Sequence, residues 1–167
     1  LKSLVNSGSI PDSVAVLAYY SKNRDVKYLD PEKVVVRQIK VSSSFLADSL
    51  FLVLEKKPSF FEVFAKNFSI NRASVGGLLD PFERGRFNHM GSAAFDLSVG
   101  EISSPIENLD KTFSIIRLEK KIEEKPLPLK RVYKRIESLL LKESQENIKK
   151  NTFNGYLNNK NVYWGKE

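Results

Sequence analysis

Cysteine is absent from this sequence, which excludes disulfide staples, thiolate metal sites and cysteine nucleophiles. Histidine occurs once, as His89. A lone imidazole with no carboxylate at ligand spacing does not build a metal site, and as a surface or capping residue it needs no catalytic role. No metal or other cofactor is expected. No apolar run approaches the roughly 20 residues that cross a bilayer, and nothing at the amino end reads as a secretory signal. The G-x-G-x-x-G, P-loop, H-E-x-x-H and G-x-S-x-G patterns are all missing, so dinucleotide, phosphate, zinc-protease and serine-hydrolase chemistry lack their signatures. Position 1 is leucine, and the expectation is an excised piece of a longer precursor whose signal segment is not included.

What is present is an ordinary globular balance, with 41% hydrophobic and 28% charged residues. A length of 167 residues allows one domain, or one domain with an appendage, and a proper core. The net charge is +7, and residues 121–167 hold most of the excess, with 11 Lys/Arg against 6 Asp/Glu. Such a basic stretch is a solvated helix face, or else a surface for anionic lipid or a partner subunit. Aromatics mix with basic residues from Lys130 to Arg135, but at helical spacing and not on a strand platform, so nucleic acid is not an expected partner.

Periodicity divides the chain. Residues from Ser9 to Asp30 read as a helix with Ser9 as N-cap, Pro11 and Asp12 early, and an apolar stripe of Val14, Leu17 and Ala18. Glu32 to Val41 is rich in β-branched residues and reads as a strand, with Val34, Val36, Gln38 and Lys40 on one face and Val35, Arg37, Ile39 and Val41 on the other. A helix follows with Phe45, Leu46, Leu50, Val53 and Leu54, ended by Pro58. Then comes a short helix from Ser59 with a Ser59/Glu62 capping box. Beyond a glycine-rich loop, residues 89–97 read as another short helix. Residues 100–107 and 113–121 read as two strands joined by the turn Asn108–Lys111. Leu129, Val132, Ile136, Leu139, Leu140 and Ile148 lie on one stripe of a long terminal helix bordered by Pro126 and Pro128. Terminal strands around helices give an α+β class with an antiparallel sheet.

The loop itself, Ser74 to Phe87, combines Gly76-Gly77 with two leucines, Asp80-Pro81, Phe82 and Arg84-Gly85. This composition is too glycine-rich for an element interior and too apolar for a linker. With its neighbours it carries a resemblance to a known family. Arg37-Gln38-Ile39-Lys40-Val41, the helical phrase Phe60–Ser69, the loop Gly76–Phe82, Ala93-Ala94-Phe95, Gly100-Glu101-Ile102-Ser103, Pro105-Ile106 and Ser114-Ile115-Ile116-Arg117 follow one another as in the parvulin-type (PpiC, rotamase) peptidyl-prolyl cis-trans isomerases. The chain particularly resembles the exported SurA- and PrsA-type foldases. The resemblance covers about half the chain.

It implies a parvulin-like four-stranded antiparallel sheet with surrounding short helices in residues 33–120. A helical flank at 1–32 and a carboxy-terminal helix at 121–167 would pack together as a helical lobe. It also implies an isomerase acting on X-Pro bonds of unfolded or extended, proline-containing exported clients, in the periplasm or another extracytoplasmic part of the cell envelope, with membrane-surface association as an option. Leu79, Phe87, Met90 and Phe95 would hold the prolyl segment. The positions where the family carries two histidines and an Asp or Cys are Gln38, Ser114 and Asn71, so the catalytic centre is neutral and its activity is expected to be weak. The alternative is a non-catalytic holdase on the same fold.

Overall fold

The computed structural model describes residues 11–161, and the chain separates into two compact units. One comprises residues 31–125; the other comprises the residues before and after them. The expected N-cap Ser9 lies outside the described residues.

In the flanking unit, helix α1 spans Ser13–Lys27 and begins at Asp12, whose Oδ1 accepts from the Ala15 N–H at 2.7 Å. An acidic N-cap satisfies one of the free donors of the first turn. The stripe expected on α1 is corrected: Val14 and Leu17 are more than half exposed, and Val16 is the fully buried residue. The helix is turned so that Tyr19 and Tyr20 face inward with Val16. Two aromatic rings bury more area than the aliphatic pair, and the Tyr20 hydroxyl donates to the Leu127 carbonyl at 2.7 Å.

Strand β1 is Lys33–Val41, a run whose branched side chains suit a pleated surface. Helix α2, Ser44–Lys56, is capped by the Ser43 hydroxyl and buries Ala47, Leu50 and Leu54. Helix α3, Phe61–Phe68, follows a 3-10 turn at Pro58–Phe60 and has no side-chain cap. The expected Ser59/Glu62 box does not form, because the Glu62 carboxylate faces Arg37 at 3.4 Å and Lys66 at 2.9 Å. Those two cations, and not the helix terminus, hold its pKa below the ordinary carboxylate value, Lys66 chiefly through its hydrogen bond and Arg37 through its charge.

The loop contributes a two-residue strand β2, Phe82–Glu83, where its composition predicts no strand. Helix α4 is Asn88–Asp96, strand β3 is Ile106–Glu107 and strand β4 is Phe113–Ile122. The strand expected at 100–107 is mostly irregular. Ile102 makes one isolated bridge to Arg117, and Ser103 exchanges hydrogen bonds with the Ile116 backbone through its N–H and its hydroxyl. Pro105, which has no N–H, stands between them and the ladder.

The sheet is antiparallel in the order β2-β1-β4-β3, as expected of a four-stranded α+β core. Its faces follow the β1 alternation. Val34, Val36, Phe82, Ala94, Ile116 and Leu118 form one core beneath α4. Ile39, Val41, Leu50, Leu54, Phe61 and Ile115 form the other beneath α2 and α3. Full burial of side chains such as Phe61 and Leu54 is worth roughly 1.5–3 kcal/mol each. Helix α5, Leu129–Asn161, belongs to the flanking unit, where Val132 and Ile136 pack with Val16 and Tyr28.

Candidate functional site

The glycine-rich loop is laced to β1. Gln38 N–H donates to the Gly77 carbonyl at 2.9 Å, and Leu79 N–H donates to the Val36 carbonyl at 3.0 Å. This approach requires the glycine. Gly77 has φ +76°, and a Cβ there would lie 2.2 Å from the Gln38 carbonyl oxygen. From the other face of β1, Arg37 Nη1 donates to the carbonyls of Val75 at 3.0 Å and Gly76 at 2.9 Å. The loop is thus fixed from both sides of one strand.

Its far end is shaped by a second glycine contact. A Cβ on Gly91 would fall 1.7 Å from the Arg86 carbonyl oxygen, so only glycine lets the first turn of α4 fold against the 86–87 corner. Phe87 takes a left-handed conformation at φ +63°. Its ring meets Phe82 edge-on at 5.0 Å and remains 44% exposed, so it is a wall and not a core residue.

Beside it opens a cleft of about 300 Å³, lined by Gln38, Asn71, Phe87 and Met90 and by His89, Lys40, Glu107 at the end of β3 and residues 108–110 of the turn that follows. The volume is at the lower end of small-ligand sites. Of the residues singled out in the sequence, these first four share the cleft. Ser114 is fully buried behind Gln38; Met90 is itself buried in the same core as Leu79 and Phe95, but it reaches the edge of the cleft and they do not border it.

The polar groups form one hydrogen-bonded chain. Asn71 Nδ2 donates to Gln38 Oε1 at 3.4 Å, and Gln38 Nε2 donates to Ser114 Oγ at 2.7 Å and to Met90 Sδ at 3.2 Å. Asn108 Nδ2 also donates to Ser114 Oγ at 2.7 Å and to Thr112 Oγ1 at 3.0 Å. Thr112 in turn donates through its hydroxyl and its N–H to Asp110, whose other oxygen accepts from Lys40 Nζ at 2.7 Å. A row of neutral amides and hydroxyls therefore ends in an ion pair at the cleft mouth. The hydrogen bond from Lys40, then those from Thr112, hold the Asp110 carboxyl down at about 2.

Sequence reading missed Asn108, Asp110 and Lys40. The segment Asn108–Lys111 reads as a turn on residue type alone, and the same short side chains that favour turns also serve the network. His89, read as a surface or capping residue, lines the cleft. The arrangement can grip an apolar ring against Phe87 and Met90 while presenting amide dipoles to the adjoining backbone. Among the described residues, no three His, Cys, Asp or Glu side chains cluster as metal ligands.

Residues 11–134 match the family described as PPIC-type PPIASE domain. Among solved structures, the chain is similar to one reported with the SurA-like chaperones PEB4 and Cj1289 of Campylobacter jejuni. The identity is 25% and the TM-score 0.66, covering 95% of this chain and 65% of that one. It also shares its fold with the peptidylprolyl isomerase PrsA of Bacillus anthracis, at 23% identity and TM-score 0.52, covering 88% of this chain and 64% of that one. This chain thus spans a little under two thirds of the length of these structures. Comparison with curated protein sequences finds no match.

Proposed function

The chain belongs to the PPIC-type peptidyl-prolyl isomerase family, and on that premise we propose that it is a foldase that turns X-Pro bonds in unfolded polypeptide clients. The observation that carries the reading is the cleft in which the apolar wall of Phe87 and Met90 stands beside the amides of Gln38 and Asn71. Rotation about a peptide bond faces a barrier of about 18–20 kcal/mol set by amide resonance. No nucleophile or metal is required, only better binding of the twisted amide than of either planar isomer. A thousandfold gain corresponds to about 4 kcal/mol.

The residues divide this task. Phe87 and Met90 hold the proline ring. Asn71 is exposed at the cleft and spends one N–H on Gln38, so its other N–H is free to meet the pyramidal nitrogen or the carbonyl as conjugation is lost. Gln38 is fixed by Ser114 and Met90 and supplies a preset dipole with little reorganisation. Clients are extended, proline-containing segments, and the place of action is the cell envelope, outside the cytoplasm. The SurA-like relatives, one of them described as periplasmic, support that location. Fractionation of cells making the full-length protein tests it.

The neutral character of Gln38, Asn71 and Ser114 favours one second reading, a holdase that binds through the same cleft without catalysis. A protease-coupled assay on a proline tetrapeptide, run beside an aggregation assay, separates the two. Isomerisation above the spontaneous rate supports the foldase. Suppressed aggregation with no isomerisation leaves only the holdase.

A further inference from the structure

A second concavity opens where β1 begins. This crevice of about 450 Å³ is lined by Lys33, by residues 81–85 and by Arg86, and it shares no lining residue with the proline cleft. Its volume is within the range of small-ligand sites. The Arg86 N–H donates to the Glu83 carbonyl at 3.2 Å and closes a tight turn, with Gly85 left-handed at φ +91°. Arg84 and Arg86 therefore stand on either side of one glycine, fixed by backbone geometry.

Their side chains are fixed as well. The Arg84 guanidinium lies over the Phe95 ring at 4.6 Å and that of Arg86 over the Phe87 ring at 5.3 Å. Both rings meet the buried Phe82 edge-on, at 6.3 and 5.0 Å, so one packed row of aromatics carries both cations. A ring occupies the flat face of a guanidinium and leaves its in-plane N–H groups free to donate. Both arginines are exposed, and among the described residues neither has a carboxylate partner. Lys33 and Glu83 stand opposite each other across β1 and β2, so their charges offset and the two guanidiniums are the surplus.

Two preset forks and a surplus of two positive charges match a compact dianion. A carboxylate carries one charge, whereas a phosphate monoester carries about −1.5 to −2 near neutral pH and has three acceptor oxygens. We propose that the crevice at the Glu83–Arg86 turn is an anion site for phosphate monoesters, free or carried on a lipid headgroup. The isomerase reading is not needed for it.

The test is a titration of the whole protein with glycerol 3-phosphate, followed by amide NMR in a phosphate-free buffer. Shifts should centre on Gly85 and Arg86, and acetate should bind at least about tenfold more weakly. Affinity should rise several-fold between about pH 5 and about pH 8, as the ester takes its second charge near pH 6 while the guanidiniums stay charged. Sulfate, a dianion throughout, should bind without that pH dependence. Arg84→Gln should weaken binding about tenfold and leave the rate on a proline tetrapeptide unchanged, and Arg84→Lys should recover only part of the loss, because it restores charge without the fork. Vesicles separate the sources: capture by phosphatidic acid, a monoester, but not by phosphatidylglycerol, a diester, places the group on a lipid, and binding of the soluble ester alone marks a free ligand. Equal binding of acetate, shifts centred elsewhere, indifference to Arg84→Gln, or capture by both vesicles with no binding of the soluble ester would overturn the assignment.

Discussion

Replacing Gly77 by alanine tests whether the loop is held against β1 by a contact that only glycine permits. The new Cβ would stand 2.2 Å from the Gln38 carbonyl oxygen and 3.1 Å from the Ala65 Cβ, both in packed surroundings. A left-handed backbone alone costs an L-residue about 1–2 kcal/mol. Lifting the loop to relieve the clash also sacrifices the bonds Gln38 N–H to Gly77 and Leu79 N–H to Val36, at about 1 kcal/mol each. The sum is about 3–4 kcal/mol, a fall in Tm of roughly 15–25 °C for a unit of this size. Gly85 is the control, with φ +91° and no atom within 4 Å of the place a Cβ would take. Gly85→Ala therefore carries only the backbone cost and should lose about 5–10 °C. Calorimetry gives both values, and amide exchange at Gln38 and Leu79 should quicken in Gly77→Ala alone. Equal falls in the two variants would refute the close-approach argument.

Further predictions concern the cleft. Phe87→Ala removes the exposed wall and should lower kcat/KM on a proline tetrapeptide by about tenfold or more, as loss of about 1.4 kcal/mol or more of apolar contact requires; an unchanged kcat/KM would count against the wall. Ser114→Ala leaves N–H groups of Gln38 and Asn108 without their buried acceptor and should cost about 1–3 kcal/mol in denaturant unfolding. Asp110 has a folded pKa of about 2 against an ordinary 3.8. Its contribution to stability is thus complete above the ordinary value and is lost as pH falls through about 2. Thermal melts across that acid range should show this component in the wild type and not in Asp110→Asn. No member of the Asn71–Gln38–Ser114–Asn108 chain titrates, so isomerisation by the His89→Gln variant should hold constant from about pH 5 to about pH 9.

Much of the sheet was legible because its signals are local. The branched run of β1 gives the strand, and its alternation gives the two faces, with Val36 on one core and Ile39 on the other. The loop announced itself by glycines that no element interior would hold. The orientation of α1 was not legible, because Val14 and Leu17 compete with Tyr19 and Tyr20 for the buried side and the outcome depends on Leu127, which is remote in sequence. The Ser59/Glu62 box failed for a similar reason, since Arg37 draws Glu62 away. Within the site, Gln38, Asn71, Phe87 and Met90 meet at one cleft, Met90 from within the core that Leu79 and Phe95 also fill without bordering the cleft. An apolar residue in a loop carries no mark of whether it faces a ligand or its own protein. Asn108 and Asp110 were hidden because turn chemistry already accounted for them.

The most direct measurement is the rate of cis-to-trans conversion of a proline tetrapeptide with the wild-type protein and with Asn71→Ala and Gln38→Leu. The expected result is a rate above the spontaneous one that falls in both variants while Tm in Asn71→Ala is preserved. A wild-type rate equal to background, or one untouched by either substitution, would contradict it.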